Sequence, residues 1–565
     1  MPSDTEIAAL KEQPVERGGA EARSPRLPGR AVWIVVAVCL AGVMFFRSMT
    51  TVWDHALMNI LTLILVFIQA MTLLGWFCFS SGYDRRVRVL LPLLLLALVV
   101  PLVASLRIDA TTGNLIPTDL RWRWSKKQDE QLEKLAPVAR EDSIDLSQVT
   151  ADDFPGFLGP NRNASIDDRE LDGDWTRNPP KELWRRPIGA GWSAFAAVNG
   201  YAVTLEQRGD EELVTCYDIR NGEPVWQHSV TTRHETVLGG VGPRSTPVIH
   251  QGKVYALGAT GVLRCLDGAT GKQLWIRELF KEVSIDQAQD EALIAWGRSG
   301  SPLIVGDTVV VPGGGQTDKT VSLFAWNKET GEKVWSAGSK QVSYASPTLG
   351  TIGGREQLIS VNEASVTGHD PQSGEVLWTY DFPGRSNANA NTSQPVLFDG
   401  DRVFLSKAYG GGSQLIQLTA AGNSQWTAEP VWQKPGTLKT KFTNVAAKDD
   451  LVFGLSDGVL ECVEWATGKS RWKGGRYGHG QLLRVGSHLL VLSEEGQLSL
   501  VAADGTARRE LAKIQALEGK TWNNLCLYGD KLLLRNAQEA ACFQLALVPT
   551  SATQSPENRP EVEGN

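Results

Sequence analysis

The chain has 565 residues, a net charge of −7, 19 tryptophans and only 5 methionines. This length exceeds that of one ordinary domain, and the acidic balance excludes a strongly basic nucleic-acid-binding surface, so no nucleic-acid partner is predicted. Three uncharged apolar stretches lie within residues 1–106, and the glycine-rich remainder predicts β-structure.

Residues 31–106 are predicted to form three transmembrane helices, because the stretches Ala31–Phe46, Ala56–Phe79 and Val89–Leu106 carry no charge. A cleaved signal peptide is the alternative for the first stretch, although no small-x-small pattern precedes Arg47. Basic residues concentrate in the leader, 1–30, and in the second loop, so both are predicted to be cytoplasmic. The chain is thus expected to be a multi-pass protein of the inner (cytoplasmic) membrane, with everything after residue 106 in the periplasm.

Residues 107–150 are predicted to form a juxtamembrane linker. Arg121, Trp122, Arg123 and Trp124 alternate in charge and aromaticity, which leaves two interpretations open: contact with lipid headgroups, or packing on the following domain. A short polar helix is predicted over residues 128–135.

A repeated phrase follows, in which an acidic or Asn residue precedes Gly by four positions and Trp by eight. Its position between apolar runs predicts a hairpin whose glycine needs a positive φ, and its recurrence predicts a propeller or a solenoid array. The five copies are Asp218-Gly222-Trp226, Asp267-Gly271-Trp275, Asn327-Gly331-Trp335, Asp370-Gly374-Trp378 and Glu464-Gly468-Trp472.

Residues 151–549 are therefore predicted to form an all-β, eight-bladed β-propeller, with seven blades as the alternative and a disordered tail over 550–565. Blade-docking tryptophans are expected on the fourth strands: Trp184, Trp226, Trp275, Trp335, Trp378, Trp432 and Trp472. One further turn, Asp504-Gly505, has lost its tryptophan. The strand around Trp184 has no blade of its own, so it is predicted to complete the C-terminal blade and close the ring.

The segments that open each blade should meet on one face around the axis, where a ligand would bind. Aromatic walls with several cations there suit a planar anion. The candidate ligand-binding residues are Trp192, Arg244, Arg298, Tyr344, Asn391, Lys441, His479 and Trp522. Neighbouring loops add Glu206, Arg208, Glu363, Lys407, Asp457, Glu495 and Arg535. Of these, Glu206, Glu363 and Asp457 are candidate ligands for a hard cation, but no residue is assigned a catalytic role and no Cys/His metal motif is present.

The repeated phrase resembles the pyrroloquinoline-quinone (PQQ) enzyme repeat, and residues 154–162 and 472–481 resemble bacterial membrane-anchored PQQ-binding-like proteins. One branch, the quinoprotein alcohol dehydrogenases, implies PQQ with calcium on the axis. The other, the outer-membrane assembly factor BamB, implies a non-catalytic scaffold for envelope proteins. No two cysteines are adjacent in this sequence, unlike in the dehydrogenases, and three spans are expected to anchor the chain where BamB has a lipidated N-terminal cysteine.

The leading hypothesis is a membrane-anchored periplasmic propeller that acts as a non-catalytic scaffold for an envelope protein or a ligand. The alternative is a PQQ-dependent quinoprotein dehydrogenase. A third hypothesis is a sensor in which ligand binding to the propeller is transmitted to the three spans. No cofactor follows from the residues themselves.

Overall fold

The computed structural model describes residues 24–49, 55–132, 144–316, 319–384, 389–422 and 425–548. The chain divides into two compact units, Met1–Met49 with Met58–Leu106, and Thr50–Leu57 with Arg107–Asn565. Most of the predicted leader and the predicted tail lie outside the described residues. The predicted domain boundaries therefore remain predictions.

Three long helices account for the apolar stretches: α1 (Arg30–Ser48), α2 (His55–Ser80) and α3 (Arg85–Ser105). Each is long and apolar enough to cross a membrane. Both prolines of α3 lie inside the helix, a placement that membrane helices tolerate.

The second unit begins with a hairpin and several short elements that precede the first complete blade. These are β1 (Leu106–Thr111), β2 (Pro117–Trp122), α4 (Gln128–Gln131), β3 (Ser165–Ile166), β4 (Glu170–Leu171) and β5 (Lys181–Pro187). The helix α4 accounts for the start of the helix predicted over 128–135, whose last residues lie outside the described part.

Eight sheets follow, which confirms the eight-bladed propeller. Blade 1 is β6 (Ala196–Val198), β7 (Tyr201–Arg208), β8 (Glu211–Asp218) and β9 (Pro224–Thr231), followed by the small hairpin β10 (Glu235–Thr236) and β11 (Gly240–Val241). Blade 2 is β12 (Val248–His250), β13 (Lys253–Leu257), β14 (Val262–Asp267) and β15 (Gln273–Glu278), and an insertion with α5 (Leu279–Glu282) and α6 (Gln287–Leu293) comes next. Blade 3 is β16 (Leu303–Val305), β17 (Thr308–Gly314), β18 (Val321–Asn327) and β19 (Lys333–Ala337).

The remaining blades keep the same order of strands from the axis outward. Blade 4 is β20 (Thr348–Ile352), β21 (Arg355–Val361), β22 (Ser365–His369) and β23 (Val376–Asp381). Blade 5 is β24 (Val396–Phe398), β25 (Arg402–Lys407), β26 (Gly412–Gly422) and β27 (Gln425–Lys434), and blade 6 is β28 (Ala446–Lys448), β29 (Leu451–Ser456), β30 (Val459–Glu464) and β31 (Lys469–Arg476). Blade 7 is β32 (Gln481–Val485), β33 (His488–Leu492), β34 (Gln497–Ala502) and β35 (Glu510–Gln515), and blade 8 comprises β36 (Cys526–Tyr528), β37 (Lys531–Arg535) and β38 (Glu539–Gln544) before β39 (Leu547–Val548).

The ring closes as the sequence predicted. Strand β5 pairs antiparallel with β38, with Trp184 opposite Cys542, so the N-terminal strand supplies the fourth strand of blade 8. Strand β4 pairs with β39 beside this junction. The closure leaves no free sheet edge between the first and last blades.

The repeated phrase has a direct packing explanation. Trp226 lies opposite Cys216 at a β-bulge, and its indole N–H donates to the carbonyl of Gly268 in the next blade at 2.8 Å. Gly271 has φ +71°, and a Cβ there would lie 2.5 Å from Trp226 Cε3. The glycine therefore supplies both the turn conformation and the space that the neighbouring tryptophan fills. The same close approach occurs for Trp184 on Gly222, Trp275 on Gly331, Trp335 on Gly374 and Trp432 on Gly468.

Two tryptophan positions depart from that pattern. Trp378 bonds within its own blade, to the side-chain oxygen of Gln357 at 2.8 Å. Trp472 donates to the carbonyl of Asp504 at 2.8 Å, in the turn that lost its own tryptophan. In blade 7, Ala512 pairs with Leu500 beside the β-bulge, which is the register position that Trp226 occupies in blade 1.

The segment 154–166 crosses the centre of the ring. Phe154 bridges Ala197 of blade 1, and β3 pairs in parallel with β32 of blade 7. Between them, the half-buried Arg162 donates to the carbonyl of Pro302 at 3.0 Å and of Pro347 at 3.4 Å, in blades 3 and 4. Burial lowers the pKa of Arg162 to about 10. Because blades 3 and 7 lie on opposite sides of an eight-membered ring, this segment fills the axial channel.

Candidate functional site

The segments that open each blade form a belt of hydrogen bonds around the axis. The amide of Thr246 donates to Ser301 Oγ at 2.9 Å, and the amide of Ser301 donates to Ser346 Oγ at 2.9 Å. On the far side, the amide of Gln394 donates to Asn444 Oδ1 at 2.9 Å. The small polar residues of these segments thus join one blade to the next.

Above this belt, five aromatic rings contact one another in a continuous row, here called the aromatic seam. It consists of Trp192, Trp522, Phe442, Trp296 and Tyr344. Successive ring centroids are 5.0, 5.0, 5.6 and 5.1 Å apart, which are distances of direct aromatic packing. The seam begins where blades 1 and 8 meet and ends at the start of blade 4, so aromatic side chains fill the axial mouth.

Sequence analysis named three of these rings and missed two. Phe442 follows the predicted Lys441 and has a positive φ of 58°, which a β-branched or bulky residue rarely adopts. Trp296 lies in the insertion between blades 2 and 3. The only signal for it was a tryptophan that did not fit the repeat.

Both predicted arginines make their bonds within the protein. Arg244 donates to the carbonyls of Gly239 and Gly240 at 2.8 and 2.9 Å, and burial lowers its pKa to about 10. Arg298 is 3% exposed and pairs with Asp290 of α6 through two bonds of 2.6 and 2.9 Å. Both guanidinium groups therefore hold loops in place.

Tyr344 and Asn391 are also engaged internally. The hydroxyl of Tyr344 accepts from the amide of Trp296 at 3.3 Å, and burial raises the pKa of Tyr344 to about 12. The amide group of Asn391 donates to the carbonyls of Asn362, Glu363 and Phe382 at 2.8 to 3.0 Å. Asn391 therefore ties two loops of blade 4 to the start of blade 5.

The turn between β1 and β2 is inserted against the other side of the axial mouth. The amide of Gly113 donates to Glu494 Oε1 at 2.6 Å, and the same oxygen accepts from the indole of Trp522 at 2.8 Å. Lys441 Nζ donates to the carbonyl of Gly113 at 3.3 Å. A Cβ on Gly113 would lie 2.3 Å from His479 Cδ2, so glycine is required for this approach.

The same turn brings the buried His479 to Asn114, with Nε2 and Oδ1 3.0 Å apart. Two predicted ligand residues, Lys441 and His479, and the buried Glu494 thus contact the chain's own hairpin. Sequence analysis named Glu495 of this loop, but its side chain is exposed, and the adjacent Glu494 makes the contacts. No residue pattern placed the hairpin at this face.

The three candidate cation ligands lie on different blades. Glu206 is buried and accepts from Thr215, Tyr217 and the amide of Gly189 at 2.5 to 2.7 Å. Burial alone would raise its pKa, but the charges of Arg208 and Arg535 and these hydrogen bonds lower the pKa below its usual range.

Asp457 lies 4.0 Å from His479 Nε2 and 3.8 Å from Lys439 Nζ. Burial raises the pKa of Glu363, which favours its neutral form. Among the described residues no three His, Cys, Asp or Glu side chains are grouped as a metal would need. The three carboxylates are therefore not brought together as ligands of one cation.

The other predicted cations also make their contacts within the protein. Arg535 is fully buried and donates to Thr204 and to the carbonyls of Leu205 and Gly189. Lys407 donates to the carbonyl of Pro383 at 2.7 Å and lies 3.5 Å from the ring centroid of Phe382. Arg208 lies 3.3 Å from Glu206 Oε2.

Lys520 is a further cation at the seam that sequence analysis did not name. Its Nζ lies 3.6 Å from the ring centroid of Trp522 and 4.9 Å from that of Trp192. Burial lowers the pKa of Lys520 to about 7, so the amine is partly neutral near neutral pH.

Residues 210–474 match the family model described as outer membrane protein assembly factor BamB. The BamB of Burkholderia pseudomallei (strain K96243) is 25% identical over 40% of this chain and 54% of its own length. The BamB of Shewanella oneidensis is 23% identical over 53% of this chain and 74% of its own length. The chain therefore spans about half the length of the Burkholderia relative.

Two solved structures share the fold. A europium-containing methanol dehydrogenase aligns with a TM-score of 0.51 at 12% identity, over 69% of this chain and 98% of its own. The quinohemoprotein alcohol dehydrogenase from Comamonas testosteroni aligns with a TM-score of 0.50 at 12% identity, over 71% of this chain and 83% of its own. Identity this low indicates a common fold only. The chain is thus an eight-bladed β-propeller in which residues 210–474 are similar to the outer membrane protein assembly factor BamB.

Proposed function

We propose that this protein is a non-catalytic scaffold that binds other proteins in the cell envelope. The observation that carries the proposal is the filled axial mouth. The aromatic seam covers one side, the 112–116 turn covers the other, and Arg162 lies in the channel. The positions where a quinoprotein-like cofactor is expected therefore serve internal contacts.

The BamB-like relatives support a role in the envelope, and three helices of membrane-spanning length support anchoring. We infer a multi-pass protein of the inner membrane with the propeller in the periplasm. The support for this orientation is the clustering of basic residues in the leader and in the second loop, as the positive-inside rule requires.

A protein-binding surface must lie outside the filled axis. An apolar, exposed residue precedes the docking tryptophan on the outer strand of three blades: Leu274, Val334 and Val431. In blade 7 the exposed Leu511 precedes Ala512, which occupies the position of the missing tryptophan. Exposed apolar residues on outer strands are places where another chain can pack. We propose that a partner contacts a subset of these blades.

Photo-crosslinking in living cells tests the proposal. The full chain would carry p-benzoylphenylalanine in place of each of these four residues, one at a time. A partner that packs on one side of the ring gives a discrete protein adduct from adjacent blades and none from the opposite ones. The scaffold proposal is contradicted if folded, membrane-associated protein gives no discrete adduct from any of the four positions.

A further inference from the structure

We propose that the outer surface of the β1–β2 hairpin lies among the headgroups of a lipid bilayer. This hairpin surface consists of Ile108, Ile116, Leu120, Trp122 and Trp124. Leu120 is 57% exposed and Trp124 is 71% exposed. Surface residues this large and apolar, grouped on one hairpin, mark an interaction site.

The two tryptophans indicate lipid as the occupant. Their rings stack with centroids 5.1 Å apart and planes 9° apart, and both remain exposed. The docking tryptophans of the propeller are buried instead: Trp226, for example, is 8% exposed. An indole has an apolar body and one N–H donor, which suits the boundary between headgroups and acyl chains.

The charge of residues 106–127 also favours a membrane surface. Residues 106–127 contain five basic residues (Arg107, Arg121, Arg123, Lys126 and Lys127) and two acidic ones (Asp109 and Asp119), which gives a net charge of about +3 in a chain whose net charge is −7. Two of the arginines pair within the hairpin, Arg107 with Asp109 and Arg121 with Asp119. Lys127 pairs with Glu235 outside the segment, and the further basic residues Arg123 and Lys126 favour an anionic membrane surface.

The position of the hairpin in the chain completes the argument. Strand β1 begins at Leu106, the residue after α3 ends, so the hairpin must lie close to the bilayer if α3 spans it. The inference rests in this respect on the proposed membrane anchoring.

Lipid crosslinking of the full-length protein tests the inference. The protein would be reconstituted in vesicles of phosphatidylcholine and phosphatidylglycerol, with p-benzoylphenylalanine in place of Trp124. The same probe in place of Leu95, in α3, is the positive control for membrane insertion, and in place of Leu511, on the outer strand of blade 7, is the negative control. We expect lipid adducts at 95 and 124 and none at 511.

The outcomes separate this inference from the anchoring. Adducts at 95 without adducts at 124, or a protein adduct at 124, would overturn the hairpin proposal and leave the anchoring intact. Loss of adducts at both positions would overturn both. Omitting phosphatidylglycerol should lower the yield at 124 about twofold or more, because the basic excess loses its anionic partner, and should leave the yield at 95 unchanged. An equal yield at 124 would contradict the electrostatic part of the argument.

Discussion

Replacing the turn glycine of blade 2 with alanine, Gly271→Ala, should destabilise the propeller by more than the backbone conformation alone can explain. Gly271 has φ +71°, and the new Cβ would lie 2.5 Å from Trp226 Cε3 and 2.8 Å from Cδ2. The left-handed conformation costs about 1 kcal/mol for alanine. Forcing a methyl group against a packed ring adds about 1–3 kcal/mol.

Gly400→Ala is the matched control. Gly400 has φ +75°, and no atom lies within 4 Å of the position of its Cβ, so only the conformational cost of about 1 kcal/mol applies. Thermal unfolding of the purified full-length protein measures both variants. We expect the Tm of Gly271→Ala to fall about 1–4 °C below that of Gly400→Ala, because the unfolding entropy of a propeller of about 400 residues gives about 1 °C for each kcal/mol.

A double-mutant cycle with Trp226→Leu isolates the contact. Leucine removes the ring atoms that would clash, although it also loses the bond to Gly268 and much buried area, which lowers the starting stability by about 2–4 kcal/mol. In that background Gly271→Ala should cost no more than Gly400→Ala. Equal shifts for both glycines in the wild-type background, or strict additivity in the cycle, would refute the view that the repeat encodes tryptophan-on-glycine docking.

Three further perturbations address the axial face and the ring closure. Gly113→Ala should displace the turn from His479 and speed amide exchange over residues 112–116, whereas Gly436→Ala, with no atom within 4 Å of its Cβ, should not. Glu206 has a lowered pKa in the folded state, so its stabilising contribution is present above the unfolded-state pKa and lost as pH falls through the folded one; Glu206→Gln should therefore flatten the fall of Tm below about pH 4. Lys520, with its pKa lowered to about 7, should react with acetic anhydride at pH 7.5 faster than the other lysines in peptide mapping, because more of its amine is neutral, and an ordinary rate would contradict the lowered pKa.

The fold could be predicted because its signals are periodic and local. Each copy of the repeat contains its own hairpin turn, glycine and tryptophan, so the number of blades follows from the spacing of the copies. The unpaired strand around Trp184 predicts the closure for the same reason: a fourth strand without a blade can only complete a blade without a fourth strand.

The position of the axial face could be predicted from the sequence, but the contacts that its residues make could not. The opening segments share a face in any propeller, and Trp192, Tyr344 and Trp522 do meet there. Whether Arg298 is available to a ligand depends on Asp290 in an insertion helix, and whether Lys441 is available depends on Gly113, more than 300 residues away. These contacts do not recur at the spacing of the repeat, and no local sequence motif predicts them.

The central claim is that the axial mouth is filled by the protein itself, and a titration of the full-length protein in lipid nanodiscs with PQQ and calcium tests it most directly. A ligand that binds only the folded state must raise the Tm as its concentration rises. The account predicts no saturable absorbance change and no rise in Tm at any PQQ concentration, with or without calcium. Saturable binding that requires calcium would contradict it and would favour the quinoprotein dehydrogenase.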